Sequence, residues 1–522
     1  MNIVMVAAEN DALVGGKVGG IGDVIRDIPR ALSELGHRVD VVTPGYQYFS
    51  TLPGARLEAS FELEFGWRPE TVSLFEVPPK TPCNGVTYWA LEHPLFAAGG
   101  VGKIYCDDPD DRPFATDASK FALFSLATAV ALGEGLLPLP DVLHLHDWHS
   151  AMVAVLKRCH PRCEALRDTH TVFSIHNLSL QGIRPFDGDE SSLIAWFGHL
   201  LFDVEAIRDP RFPDCINAMR AGITLSDRVH AVSPTYAQEI QRASDAANGF
   251  FGGEGLEADL RRAARDGRLH GILNGTEYPA DLMTSCARAD LYELCTGALE
   301  NWIAAGSGHA AAHRIARLRL AQWEKQPRKT GALLTSVGRI TAQKVLLLQH
   351  RLADGRSGLE ALLDSLGKQD RLLMLGSGDG ALEEFLIDVA SRHENFLFLN
   401  GYAESLPDAI YAAGDLFLMP SSFEPCGISQ MLAMRAGQPC LVHGVGGLLD
   451  TVRDDQTGFV FTGRDLNDQV IALLSRLTQA LRLRREQPTQ WEELRSVAAD
   501  QRFLWRDAAS DYQRLLYEYA DA

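Results

Sequence analysis

The chain has 522 residues, 46% of them hydrophobic and 22% charged, which is more than one ordinary core organises and predicts two large domains of a globular protein. A formal net charge of −19 argues against nucleic acid as a partner, while anionic small molecules need only local positive charge. There is no basic secretory start and no apolar run of roughly 18–20 residues, so no membrane partner is expected and the setting is read as cytoplasmic.

In chain order, Asn2–Ala7 reads as a short buried strand followed by a glycine-rich loop. Ile21, Val24, Ile25, Ile28, Leu32 and Leu35 then recur at helical spacing, and Arg38–Thr43 supplies the next strand. The rhythm returns at Val142–His146, Thr171–His176, Arg228–Val232 and Leu269–Leu273, predicting a doubly wound α/β domain over residues 1–276. Residues 277–330, with Gly-Ser-Gly at 306–308 and a basic stretch from Lys325 to Lys329, read as linker and insertion. Alternation resumes at Ala332–Val337, Arg371–Leu375, Asn395–Leu399, Asp415–Met419, Pro439–Val442 and Phe459–Phe461, a second doubly wound domain over 331–502. The last segment, 503–522, is helical in pattern from Phe503 to Tyr519 and is expected to return to the first domain. The fold class is therefore α/β, two Rossmann-like domains facing a cleft lined by strand carboxyl ends. The nine cysteines, Cys159 and Cys163 included, complete neither a disulfide framework nor a zinc site.

The motifs lie at strand ends. Gly15-Gly16-Lys17-Val18-Gly19-Gly20 matches neither GxGxxG nor the Walker spacing. A tight turn would use the same glycines; Lys17 at a helix start favours anion binding. In His144-Leu145-His146-Asp147-Trp148-His149, ring packing suits the histidines better than zinc. Asp147 and Trp148 offer a hydroxyl acceptor and a flat apolar face for a sugar. His176 ends the next strand; a lone histidine there is structural as readily as catalytic. Arg339 and Lys344 follow the first strand of the second domain, where a fork and a point charge could reach one diphosphate. Gly376-Ser377-Gly378-Asp379-Gly380-Ala381 fits the relaxed dinucleotide fingerprint, but the next strand ends at Leu399-Asn400 without an acidic ribose ligand, so it reads as a strand-to-helix turn. Finally, Ser421-Ser422-Phe423-Glu424-Pro425-Cys426-Gly427-Ile428-Ser429-Gln430 places a carboxylate at the end of a buried strand, pinned by Pro425 and followed at once by a helix. A surface Glu needs no such setting.

Together these stretches resemble the bacterial glycogen synthases and plant starch synthases, retaining glucosyltransferases of the GT-B fold. The likeness is carried, in order, by residues 17–24, 146–149, 175–178, 217–223, 231–237, 271–275, 338–344, 401–404, 420–430 and 446–452. It implies transfer of glucose from ADP-glucose to the non-reducing 4-hydroxyl of an α-1,4-glucan such as glycogen, with retention, no cofactor and no obligatory metal. Glu424, His176, Arg339 and Lys344 would be catalytic. Lys17, Gly19 and Gly20 would help hold the diphosphate, Asp23 would contact the ribose, Tyr402 would stack on adenine, and Asn274 would meet the glucose. Cys426, Gly427 and the amides of Ile428 and Ser429 would complete the donor site, with Asp147 and Trp148 in the sugar cleft. Several positions depart from the family pattern: Val18, Gly22, Ser422 in place of Arg, Val345 in place of Gly, and Thr276-Glu277-Tyr278-Pro279 after Asn274-Gly275. They keep two alternatives open: a related retaining glycosyltransferase with another donor or acceptor, and a catalytically silent glucan-binding protein.

Overall fold

A computed structural model describes residues 1–109, 111–198, 200–325, 331–403 and 405–518. Of the predicted features, Lys329, Glu404 and Tyr519 lie outside the described residues. The chain forms two compact units: Met1–Ser244, Gly252–Gly275 and the segment from Leu504 onward make the first, and Asp245–Phe251 with Thr276–Phe503 the second.

The first unit is built on strands β1 (Asn2–Val6), β2 (Arg38–Pro44), β3 (Arg56–Phe65), β4 (Arg68–Glu76), β5 (Val86–Glu92), β6 (Val142–His146), β7 (His170–Ile175), β8 (Ile183–Pro185), β9 (Cys215–Asn217), β10 (Arg228–Ala231) and β11 (Leu269–Gly271). Nine of them form one sheet in the order β11-β10-β7-β6-β1-β2-β5-β4-β3, and β8 pairs with β9. From β11 to β5 the sheet is parallel, and its central strands β1, β6 and β7 are buried along nearly their whole length, as helices on both faces require. The β3–β4–β5 edge is antiparallel and was not expected. There Phe61 and Leu63 are buried while Glu62 and Glu64, alternating with them, are exposed, a one-faced pattern that a search for apolar runs passes over.

The helix Ala115–Gly133 is long and apolar enough to cross a bilayer by length and composition, yet 89% of its apolar window is buried inside the protein, and Asp117 and Lys120 pair within it at 2.5 Å. The C-terminal helix Trp505–Tyr512 and the wide turn Gln513–Tyr517 pack on the first unit. Tyr517 Oη shares a hydrogen bond with His144 Nδ1 at 2.7 Å, and the Leu516 carbonyl meets His170 Nε2 at 2.7 Å. The histidines of β6, β7 and β10 are therefore polar rivets under this segment.

The second unit carries β12 (Leu333–Val337), β13 (Arg371–Gly376), β14 (Phe396–Asn400), β15 (Leu416–Met419), β16 (Cys440–His443) and β17 (Gly458–Phe461), all parallel, in the order β14-β13-β12-β15-β16-β17. The stretch 277–330, read as linker and insertion, instead contributes two helices, Arg288–Ala304 and Ala310–Glu324. Leu291, Leu299, Trp302, Leu320 and Trp323 from these helices are buried together with Leu333, Leu373 and Leu397 of the sheet. Arg288 is bonded to Asp415 at 2.6 Å. The two helices are one face of the second core.

Candidate active site

In the second unit the chain leaves β12 for β13 and β14 on one side, then returns with β15 on the other. The loops after β12 and β15 thus start where the strand order reverses, the place at which open α/β sheets bind ligands. The first loop carries Arg339 into the helix Ala342–Gln349, which holds Lys344; the second carries Glu424. The Lys344 ammonium is hydrogen-bonded to the Glu424 carboxylate, and Glu424 is only 7% exposed. A recess at these strand ends is lined by Gly338, Arg339, Lys344, Met374, Met419 and Ser421. Arg339 is exposed, and among the described residues no hydrogen bond or ion pair holds its guanidinium.

The Glu424 loop is fixed from behind. The Gly447 amide donates to the Glu424 carbonyl at 3.0 Å, and a Cβ on Gly447 would lie 2.2 Å from the Cys426 carbonyl, so only glycine permits this approach. Cys426 is buried, Gly427 has φ +76°, and the short helix Ser429–Arg435 begins after Ile428 with no side-chain cap on its first amides. Tyr402 is 65% exposed and its carbonyl accepts from Trp302 Nε1 at 2.9 Å.

Gly376 and Gly378 serve the backbone. A Cβ at Gly376 would lie 2.0 Å from the Gly338 carbonyl, while Ile340 and Asp379 exchange main-chain bonds with this turn. The Gly378 amide is taken by Glu383 at 2.6 Å. The segment buttresses the Arg339 loop.

In the first unit the equivalent reversal lies between β1 and β6. The glycine-rich loop follows β1, but its amides are already engaged: Glu9 accepts from Val18 at 3.1 Å and Gly19 at 2.5 Å, and also from Tyr105 Oη at 2.8 Å. Lys17 and Asp23, assigned to separate parts of a donor, are bonded to each other at 2.5 Å. Gly20 begins the helix Gly20–Glu34. Glu9 was not singled out in the sequence. The signal that marked Glu424, a carboxylate just beyond a buried strand, would have found it.

After β6, Asp147 adopts φ +54°, rare for a residue with a side chain. Its carboxylate accepts from the His176 amide at 2.7 Å, and burial pushes its pKa up to about 8. The loop after β6 is thereby tied to the end of β7. His176 Nε2 shares a bond with His146 Nδ1 at 2.9 Å, and burial lowers His176 to about 3, so its ring is neutral at physiological pH. Asn274 is buried, and among the described residues its Oδ1 has no partner, an open acceptor. Trp148 corrects the expectation of a sugar platform: it is 5% exposed, its ring packed edge-on against Phe121 at 5.5 Å and close to His149 at 4.3 Å. Asp147 likewise braces a loop rather than facing solvent.

Comparison with known proteins places these geometries in a family. Residues 2–262 match the starch synthase catalytic domain, and residues 343–479 match glycosyl transferases group 1. Glycogen synthases of Streptococcus pneumoniae, from strain 70585 and from the serotype 4 strain TIGR4, are 34% identical over 99% of both chains. Among solved structures, the catalytic domain of starch synthase IV from Arabidopsis thaliana, bound to ADP and acarbose, superposes with a TM-score of 0.75 at 26% identity, covering 99% of this chain and 98% of that one. Sucrose-phosphate synthase from Thermosynechococcus elongatus, at 17% identity over 98% of each chain and a TM-score of 0.54, shares the fold. The architecture is GT-B.

Proposed function

Because this chain belongs to the glycogen and starch synthase family of glycosyltransferases, with a nucleotide sugar and a glucan as its substrates, we propose that it transfers glucose from ADP-glucose to the non-reducing 4-hydroxyl of an α-1,4-glucan, with retention of configuration. The observation that carries this reading is the Lys344–Glu424 bond beside Arg339 at the strand reversal of the second sheet. It puts two cations and one carboxylate where a donor has both a diphosphate and a hexose to be held. The ADP bound to the Arabidopsis relative supports the adenine nucleotide.

Arg339 takes the diphosphate by its fork and Lys344 as a point charge, while the uncapped amides at Ile428 and Ser429, beside Cys426 and Gly427, add neutral donors. An ammonium has three protons to give, so Lys344 can serve phosphate and Glu424 together. Glu424 orients the glucose hydroxyls and favours positive charge developing at the anomeric carbon. The bond from that carbon to the phosphate oxygen breaks, the glucan oxygen bonds to the same face, and its proton passes to the departing phosphate. Arg339 and Lys344 neutralise the leaving group, so no metal is required. Tyr402, exposed beyond β14, stacks on the adenine. In the first unit, neutral His176 and the open Asn274 acceptor offer hydrogen bonds suited to sugar hydroxyls. Gly20 and Lys17 supply what the loop offers the phosphates, since Glu9 occupies the Gly19 amide, and Asp23 contacts the ribose.

The test is incorporation of label into glycogen from ADP-, UDP- and GDP-glucose, with and without chelator. Incorporation from ADP-glucose that survives chelation is expected. Preference for another nucleotide favours the related-transferase alternative, which Ser422 and residues 276–279 motivate, and no incorporation from any donor favours a silent glucan binder.

A further inference from the structure

Lys344 does not meet Glu424 alone. The residue before it, Gln343, is tied to the two residues before Glu424. The Gln343 carbonyl accepts from the Ser422 amide at 2.8 Å and from Ser422 Oγ at 3.1 Å, and its side-chain Nε2 donates to the Phe423 carbonyl at 2.9 Å. Two consecutive residues at the start of one helix thus bind three consecutive residues of the loop after β15. The frame behind them is also fixed: the Thr341 carbonyl accepts from the Lys344 and Val345 amides at 3.0 Å, and Gly447 holds the Glu424 carbonyl.

The side-chain bond has no local purpose. Gln343 is half-buried in the first turn of its helix, where alanine would serve the helix as well or better. What the amide does is lock the register between the segment that carries the ammonium and the segment that carries the carboxylate. In the donor reading above, those two groups lie on either side of the bond that breaks, so their spacing is a dimension of the reaction. We propose that Gln343 is a positioning residue for glucosyl transfer, setting the separation of Lys344 and Glu424 so that one donor molecule meets both. This rests on the donor reading.

The test uses Gln343→Met in the full chain, which keeps the length of the side chain and the main-chain bonds and removes the side-chain amide, and with it the Nε2 bond to Phe423. Misplacement of about 1 Å costs up to roughly 100-fold in rate, so kcat should fall about tenfold or more while the donor KM, the affinity for free ADP and the thermal midpoint stay within experimental scatter of wild type. Gln343→Lys, which restores a donor towards the Phe423 carbonyl, should recover part of kcat. A merely structural role would instead lower kcat, ADP affinity and thermal midpoint together, without rescue, and that result overturns the proposal; so does an unchanged kcat in Gln343→Met. Should Gln343→Met not fold, Gln343→Asn, whose shorter amide stops short of the carbonyl, is read by the same split. If wild type transfers from no donor, the donor reading fails; if wild type transfers and the variants match it, only the positioning role fails.

Discussion

Lys344 and Glu424, 80 residues apart in the chain, are joined ammonium to carboxylate at the reversal point of the second sheet. Breaking one partner leaves the other buried beside a cationic recess with its work undone. Lys344→Ala should lower glucosyl transfer by about 100-fold or more, since it removes a charge aimed at the leaving phosphate. The fold should lose about 1–3 kcal/mol, because Glu424 stays buried without its partner while the quarter of the lysine side chain that is exposed lets water screen the pair. Steady-state kinetics and thermal melts separate the two; a rate within tenfold of wild type would remove Lys344 from the chemistry.

Two glycines should behave oppositely. Gly447→Ala drives a Cβ into the Cys426 backbone and displaces the Glu424 loop, with an expected loss of about 1–3 kcal/mol and of most turnover. Gly380→Ala meets nothing within 4 Å at the start of the helix Gly380–Arg392, and should raise stability by about 0.5–1 kcal/mol with activity kept. Loss of donor binding in Gly380→Ala would revive a nucleotide role for residues 376–381.

Glu9 holds the shape of the glycine-rich loop, in which Lys17 is paired with Asp23 and Gly20 opens the helix. Glu9→Ala should raise the donor KM by about tenfold with the unfolding midpoint little changed, and Glu9→Gln, which still accepts hydrogen bonds, should do less. Equal KM values in all three proteins would contradict that role.

The buried histidines set an acid limit. Burial holds His176 and His149 near 3 and His230 near 4, and lowers His144 and His146 well below the ordinary value of about 6.5. These folded-state values lie below the unfolded ones, so the unfolded chain binds the extra protons and stability is lost as pH falls from about 6.5 towards 4. Asp147 acts with the opposite sign: raised to about 8, it costs stability as pH rises from its unfolded value towards 8. Thermal midpoints should therefore drop steeply between pH 6.5 and 4.5, and Asp147→Asn should melt higher than wild type at pH 8.5; a flat acid limb would refute the histidine account.

Much of the fold was legible because a parallel sheet buried on both faces writes itself as short apolar runs, and every strand predicted from such a run is present, its ends displaced by at most two residues. The β3–β5 edge escaped because one wet face interrupts the run, and the helices of 288–324 escaped because their apolar residues are diluted by small and charged neighbours. At the site, residue type and strand-end position located Arg339, Lys344 and Glu424. They could not say that Trp148 turns inward, that Lys17 pairs with Asp23, or that Glu9 fills the loop amides, because each depends on which neighbour packs alongside. Gly376 and Gly378 mimicked a ligand motif since close backbone approach demands the same residue as close approach to a phosphate.

The central claim, that the paired Lys344 and Glu424 work on a sugar nucleotide, is tested most directly by one comparison: transfer of labelled glucose from ADP-glucose to glycogen by wild type and by Glu424→Ala, alongside ADP binding to each. The account predicts transfer by wild type, a loss of about 100-fold or more in the variant, and ADP affinity retained because the phosphate cations remain. A variant rate within a few fold of wild type, or a wild type inert with every nucleotide sugar, would contradict it.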